Sequence, residues 1–241
     1  MDRIEVFPTR ADVAARVATD VLVEIARAIS TRGRADVVLT GGTVGIESLA
    51  AIAAHPDRDE VDWSVVRIWW GDERFVPAGD PDRNEGQATD VLLRHLPLTL
   101  ENVFRFPAAD GVTLEVARDR FDTVLRDEFS DQPYFDVVLN GIGPDGHVAS
   151  LFPGFDHGGS DDFVIAVENS PKPPPRRLSL TFAALNRGAN VWVVAAGADK
   201  AEAISRLVNG SPVSATPATG LHGTVETALY VDDAAAASLN R

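Results

Sequence analysis

The stretch that decides the fold is residues 135–154, FDVVLNGIGPDGHVASLFPG. Val137 to Leu139 form a short apolar run with the length and β-branched content of a buried strand. Three glycines and Pro144 then predict a sharp turn, which contains Asp145 and His147. The next segment, HVASLF, lacks Gly and Pro and predicts a helix whose free N–H groups face the same spot. Open α/β sheets bind ligands at such strand ends, so this turn is the predicted active site.

Outside this stretch, strands and helices alternate along the chain. Apolar residues recur every four positions from Val13 to Ile29, which is the pattern of an amphipathic helix. Further strands are predicted at residues 4–7, 37–39, 63–70, 103–106, 163–168, 178–180 and 191–197, and further helices at 44–54 and 112–129. We therefore expect one doubly wound α/β domain over residues 1–241, Rossmann-like, with a mostly parallel sheet and helices on both faces.

Composition narrows the functional classes. The formal net charge of −14 disfavours a nucleic-acid surface, which requires basic patches. No apolar run approaches the roughly 20 residues of a transmembrane helix, and the N-terminus lacks the apolar core of a signal peptide. A cytoplasmic protein without a membrane partner is expected. The chain has no cysteine, which excludes disulfides, thiolate metal sites and a cysteine nucleophile.

A second glycine turn follows the strand at 37–39. Gly41 and Gly42 precede Thr43 and a predicted helix, so backbone N–H groups and the Thr43 hydroxyl would point at one place. Such a nest suits a phosphate group. A tight strand-to-helix turn needs glycine in any case, so the motif alone is weak.

Charged residues follow the strand at 63–70, in the sequence GDER. Asp72, Glu73 and Arg74 at the end of a buried strand are costly to place there unless they are paired or face a ligand. The structural alternative is an ion pair between Asp72 and Arg74. Asn84 follows in the chain and is the expected N-cap of the next helix.

The chain contains only two lysines, Lys172 and Lys200. Lys200 is predicted in the first turn of a helix, where a cation is unfavourable unless an anion lies nearby. This favours a role for Lys200 in binding an anionic ligand. Lys172 lies in the proline run PKPPPRR, and we expect it on the surface.

Several of these motifs occur together in one known family. TGGT (40–43), WWGDERFVP (69–77), GIGPDGHVASLFPG (141–154), RLSLT (177–181) and GADK (197–200) resemble the 6-phosphogluconolactonases in order and spacing. The motifs span nearly the whole chain. The wider superfamily also contains the glucosamine-6-phosphate deaminases.

This resemblance implies an enzyme that hydrolyses 6-phospho-D-glucono-1,5-lactone to 6-phosphogluconate in the oxidative pentose phosphate pathway, with no metal and no cofactor. The partner it implies is a phosphorylated sugar lactone. We expect the chain itself to be a monomer or a weak homo-oligomer. His147 matches the general base of the family, with Asp145, Asp72 and Arg74 as further catalytic residues. The positions matching the substrate- and phosphate-binding residues are Gly41, Gly42, Thr43, Arg177 and Lys200.

The lactone chemistry can also be argued from the residue types. A histidine side chain has an ordinary pKa of about 6.5, which suits a general base near neutrality. A carboxylate bonded to its second nitrogen would select the tautomer, and Asp72 and Asp145 are both candidates. Stabilisation of the oxyanion falls to Arg74 or to backbone N–H groups of the glycine turn.

Two other functions compete with hydrolysis. An amino-sugar phosphate deaminase/isomerase would use Asp72 to move a proton, but that group has Asn-Glu-Pro where this chain has Ser150, Leu151 and Phe152. A non-catalytic sugar-phosphate-binding protein of the same fold is the other alternative. A serine hydrolase using Ser150 is disfavoured because the G-x-S-x-G motif is absent. Arg83 departs from the family pattern, which usually has Ser there.

Overall fold

The computed structural model describes residues 1–129 and 134–239. It contains these elements in chain order: β1 (Arg3–Phe7), α1 (Arg10–Arg32), β2 (Ala35–Leu39), α2 (Thr43–Ala54), β3 (Val66–Trp70), β4 (Asp72–Arg74), α3 (Asn84–Val91), α4 (Leu114–Phe129), β5 (Phe135–Gly141), β6 (Val164–Val167), β7 (Arg177–Leu180), α5 (Phe182–Leu185), β8 (Gly188–Ala195), α6 (Ala201–Val208) and β9 (Glu226–Asp232).

Six strands form the main sheet, in the order β1-β9-β8-β5-β2-β3, and every neighbouring pair is parallel. Every residue of β2, β3 and β8 is buried, as expected for strands covered on both faces. The predicted α/β fold class with a mostly parallel sheet is confirmed. A second, antiparallel sheet of β4, β7 and β6 adjoins it and was not predicted.

Helix α1 follows from its sequence pattern. Thr9 caps it, and the side chain of Asp12 accepts from the backbone N–H of Thr9 in a reciprocal capping box. Its apolar positions are buried against the sheet, including Val13, Val17 and Val21. The helix ends at Gly33, as the sequence predicted.

An aromatic cluster fills the core between β3 and α4. The indole of Trp69 stacks on Phe104 with a centroid distance of 3.9 Å, and it meets Phe121 of α4 edge-on at 6.3 Å. Burial of each large aromatic side chain contributes on the order of 2–3 kcal/mol. Most buried apolar side chains of residues 1–129 and 134–239 belong to one cluster, which supports the expectation of a single domain.

Three local predictions were wrong. Residues 147–152 form turns and an isolated bridge between Val148 and Leu151 instead of a helix. Residues 103–106 make only one bridge, from Val103 to Ile68, and residues 63–65 form a 3-10 turn ahead of β3. Each of these segments packs against distant parts of the chain, and local propensity does not report such contacts.

Within the described ranges, no helix is both long enough and apolar enough to cross a membrane.

Candidate active site

A cleft of about 310 Å³ lies at the carboxyl ends of the central parallel strands. Loops that follow β2, β3, β5 and β8 line it, because parallel strands bring all these ends to one edge of the sheet. Most of the predicted site residues line this cleft: Gly41, Gly42, Thr43, Asp72, Arg74, His147, Arg177 and Lys200. The remaining one, Asp145, lies behind His147 and contacts it.

Asp145 is the carboxylate that orients His147. Its Oδ1 lies 2.5 Å from His147 Nδ1 and also accepts from the His147 backbone N–H at 3.3 Å. The approach requires glycine at position 143, because a Cβ there would lie 2.0 Å from His147 Nδ1 and 2.4 Å from Asp145 Oδ1. The ring also packs on Phe152, at a centroid distance of 4.7 Å. The turn therefore fixes the imidazole from three sides.

The charge state of Asp145 follows from its neighbours. Partial burial by itself raises the pKa of Asp145, but the hydrogen bond and the charge of His147, together with the Lys172 ammonium, outweigh burial. The pKa of Asp145 is held well below its usual range. A carboxylate that stays ionised accepts the Nδ1 proton of His147 and keeps this tautomer.

Asp72 is held by other partners and does not contact the imidazole. Its Oδ2 accepts from Ser150 Oγ at 2.6 Å and lies 3.6 Å from Arg177 Nη1. Its Oδ1 accepts from Asn84 Nδ2 at 3.2 Å. The alternative pairing of Asp72 with Arg74 is wrong, since Arg74 Nη1 donates to the carbonyl of Asp82 at 2.5 Å. The Ser150 hydroxyl donates its hydrogen bond to Asp72 and, within the described part of the chain, is not bonded to a histidine, so it does not form a Ser-His-Asp triad.

Asn84 is a site residue that the sequence analysis placed only as a helix cap. The N-cap of α3 is Arg83, and Asn84 is the first residue of the helix. Its side chain is buried and lines the cleft, with Nδ2 donating to the Asp72 carbonyl at 2.8 Å. The two Asp72 acceptors select the orientation of the amide, since a flipped amide would face them with its own oxygen.

Glu73 lies under the cleft and ties β4 to α3. Its carboxylate accepts the backbone N–H groups of Arg74, Asn84 and Glu85 at 2.8, 2.7 and 3.0 Å. Burial raises the pKa of Glu73 to about 7, although the Arg83 charge and these N–H bonds oppose it. Buried Arg83 also donates to Glu85 and to the Phe106 carbonyl, which gives this departure from the family pattern a structural role.

Arg177 was predicted to bind phosphate, and the structure places it at the cleft with most of its donors already used. Its Nε donates to the Pro174 carbonyl at 3.2 Å, and Nη2 donates to the carbonyls of Lys172 and Pro173 at 3.2 and 3.1 Å. Burial lowers its pKa, with the Asp72 charge opposing this. Arg177 therefore holds the proline segment 172–174 over the cleft.

Lys172 lines the cleft, so its predicted surface position is wrong. Its Nζ lies 3.5 Å from His147 Nδ1. Burial lowers the pKa of Lys172, and the nearby Lys200 and Arg177 charges act in the same direction, while Asp145 opposes them. The rarity of lysine in this chain was the available sequence signal, and the surrounding prolines masked it.

The cleft continues into a second lobe over the start of α2. Gly42, Thr43, Gly197 and Lys200 line this lobe, whereas His147 and Lys172 do not. Lys200 pairs with the exposed Asp199 at 3.0 Å. Basic side chains thus border both ends of the cleft in a protein whose net charge is −14.

Among residues 1–129 and 134–239, no group of three or more His, Cys, Asp or Glu side chains is arranged to hold a metal ion.

Comparison with known proteins gives consistent matches. The family model described as glucosamine-6-phosphate isomerases/6-phosphogluconolactonase matches residues 8–230. The 6-phosphogluconolactonase of Streptomyces coelicolor is 42% identical over 95% of this chain and 91% of that protein. The 6-phosphogluconolactonase of Mycobacterium tuberculosis is 38% identical over 98% of each chain. The solved structure of 6-phosphogluconolactonase from Trypanosoma brucei superposes with a TM-score of 0.85, at 26% identity, covering 100% of this chain and 99% of that one.

Proposed function

The chain belongs to the glucosamine-6-phosphate isomerase/6-phosphogluconolactonase family, and on this premise we propose that it hydrolyses 6-phospho-D-glucono-1,5-lactone to 6-phospho-D-gluconate. This reaction is the second step of the oxidative pentose phosphate pathway. The observation that carries the proposal is the imidazole of His147, bonded to Asp145 at one edge of a cleft whose lining includes four Lys and Arg side chains and two glycine loops.

His147 is the proposed general base. Asp145 accepts the proton on Nδ1, which leaves Nε2 as the basic nitrogen for a water molecule in the cleft. As the water oxygen bonds to the lactone carbonyl carbon, its proton passes to Nε2. The carbonyl oxygen becomes an alkoxide in the tetrahedral intermediate.

The imidazolium then acts as the acid. The alkoxide re-forms the carbonyl, the bond from C1 to the ring oxygen breaks, and the ring oxygen takes the proton from Nε2. The open-chain acid loses its proton to solvent, and His147 returns to its starting state. Asp145 stays ionised throughout and stabilises the transient positive charge on the ring.

The substrate phosphate is proposed to bind in the second lobe. The first turn of α2 presents N–H groups there, and its N-cap, Gly42, makes no side-chain capping bond. Lys200 adds a positive charge beside the same loop. Anchoring the remote phosphate orients the lactone ring and contributes binding energy to the reaction at C1.

Deaminase/isomerase activity is the competing function within the family. In this chain the Asp72 carboxylate is occupied by Ser150, Asn84 and Arg177, which suits a positioning role better than proton transfer on a sugar. This arrangement supports hydrolysis.

A direct assay tests the proposal. Freshly generated 6-phosphogluconolactone is mixed with the protein, and acid release is followed against the spontaneous opening of the lactone. Glucosamine 6-phosphate is offered in a parallel reaction. We expect lactone hydrolysis without deamination, and the reverse result would reject the proposal.

A further inference from the structure

Lys172 has no role in the reaction as described so far, although it is the basic side chain beside His147. The proline segment holds it in place through its backbone. Its carbonyl accepts from Ser170 Oγ at 2.9 Å and from Arg177 Nη2 at 3.2 Å, and its N–H donates to Ser170 Oγ at 3.2 Å. These bonds fix the backbone at position 172 beside the cleft.

The ammonium group is available to a ligand. Nδ1 of His147 already shares its proton with Asp145, and an ammonium has only donors, so the 3.5 Å approach of Nζ to Nδ1 uses no donor of Lys172. Within residues 1–129 and 134–239, no carboxylate lies within 4.0 Å of Lys172 Nζ, whereas Lys200 has Asp199.

The other basic groups of the cleft are less suited to the reacting end. Nε and Nη2 of Arg177 already donate hydrogen bonds to three backbone carbonyls, and Arg74 Nη1 donates to the carbonyl of Asp82. Lys200 lines both lobes and already pairs with Asp199 at 3.0 Å. Four lysine and arginine side chains line the lobe that contains His147, and Lys172 is the one placed against the imidazole.

From this geometry we infer that Lys172 is a further catalytic residue: its Nζ donates a hydrogen bond to the lactone carbonyl oxygen as that oxygen becomes negative. Lys200 instead serves the phosphate. The inference rests on the proposed function. Lys172 stays protonated through the reaction, so its N–H stabilises the alkoxide without transferring a proton, and the proton balance through His147 is unchanged.

The two lysines provide matched variants. Lys172→Met and Lys200→Met remove the same charge from the same cleft and keep a side chain of similar length. We expect Lys172→Met to lower kcat on 6-phosphogluconolactone by about 10²-fold, the usual cost of losing one oxyanion donor, with a small change in KM. We expect Lys200→Met to raise KM by about tenfold or more and to lower kcat much less than Lys172→Met does.

Inorganic phosphate gives a readout that does not depend on the chemical step. Its inhibition of lactone hydrolysis is expected to weaken in Lys200→Met and to be unchanged in Lys172→Met. Lys172→Arg, which keeps the charge, is expected to recover part of kcat. Thermal unfolding of all three variants reports any loss of folding.

Three outcomes would overturn the inference. Lys172→Met with wild-type kcat removes the catalytic role. A raised KM and weaker phosphate inhibition in Lys172→Met would make Lys172 a phosphate ligand. An equal loss of kcat in Lys172→Met and Lys172→Arg, together with a lowered melting temperature in both, would make its role structural. Absence of lactone turnover by the wild type would instead reject the proposed function itself.

Discussion

The side-chain amide of Asn84 occupies the space that a β-carbon on Gly41 would fill, since such a carbon would lie 2.1 Å from Asn84 Oδ1. The loop after β2 therefore packs directly on the first turn of α3. Because Asn84 Nδ2 also donates to Asp72, the contact connects the loop at Gly41 to Asp72 across the cleft. Gly41 acts here through its small size.

The first prediction concerns this contact. Gly41→Ala is expected to displace the loop or Asn84, costing about 1–3 kcal/mol of folding stability and at least about tenfold in kcat/KM, because Asn84 cannot move without losing its bonds to Asp72. Urea unfolding and the lactone assay measure the two effects.

Gly86→Ala is the matched control. Gly86 lies in α3, and a β-carbon there meets no atom within 4 Å. Activity is expected to stay the same and the free energy of unfolding to rise by up to about 1 kcal/mol, the difference in helix propensity. Equal behaviour of the two variants would refute the packing role of Gly41.

The second prediction separates the base from its orienting carboxylate. His147→Ala is expected to lower kcat by about 10²–10⁴-fold with little change in KM, because only proton transfer is lost. Asp145→Asn is expected to lower kcat on the order of 10²-fold, since an amide no longer selects the tautomer with a proton on Nδ1. Steady-state kinetics at neutral pH measures both, and near wild-type turnover in His147→Ala would remove the base assignment.

The third prediction concerns Arg177. A lysine cannot donate to the carbonyls of Lys172, Pro173 and Pro174 together, so Arg177→Lys is expected to loosen the proline segment. The result is a lower kcat and a melting temperature reduced by several degrees, with unchanged inhibition by inorganic phosphate. Arg176→Lys, at the exposed neighbouring position, is the control. Weakened phosphate inhibition in Arg177→Lys would instead support the phosphate-binding role expected from the sequence.

The fourth prediction is a pH dependence of stability. The pKa of Glu73 is about 7 in the folded protein, above its ordinary value of 4.5, so the folded state binds this proton more tightly than the unfolded state. This contribution to stability is complete at low pH and is lost as the pH rises to about 7. Between low pH and pH above 7, the shifted pKa of Glu73 lowers the free energy of unfolding by about 3 kcal/mol in total.

Glu73→Gln has no proton to lose, so its free energy of unfolding is expected to fall less between pH 5 and pH 8 than that of the wild type. Urea unfolding at the two pH values gives the difference, and Glu60→Gln at an exposed position is the control. The same pH slope in wild type and Glu73→Gln would contradict the raised pKa.

The fifth prediction concerns metal ions. All steps of the proposed reaction use side chains of this chain, so lactone hydrolysis is expected to survive dialysis against excess EDTA. Activity lost to EDTA and restored by a divalent cation would require a different mechanism.

Much of the fold could be predicted from the sequence. The four-residue period of α1, its end at Gly33 and the β-branched runs of β2, β5 and β8 are local signals, and they predicted the elements correctly. The alternation of strands and helices then implied a parallel sheet. Because such a sheet collects the carboxyl ends of its strands on one edge, the loops containing Gly41, Asp72, His147 and Lys200 were expected to meet there.

Only the tertiary structure decided which of these groups contact each other. Asp145 rather than Asp72 bonds His147, and Arg177 bonds the carbonyls of the proline segment. Lys172, which was expected on the surface, lines the cleft. Residues 147–152 do not form the predicted helix because tertiary contacts outweigh their helix propensity. The Ser150 N–H donates to Ser179 Oγ, and the Ser150 hydroxyl donates to Asp72. The physical reason is that periodicity reports the backbone and burial of one segment, whereas the partners of a charged side chain come from segments distant in sequence.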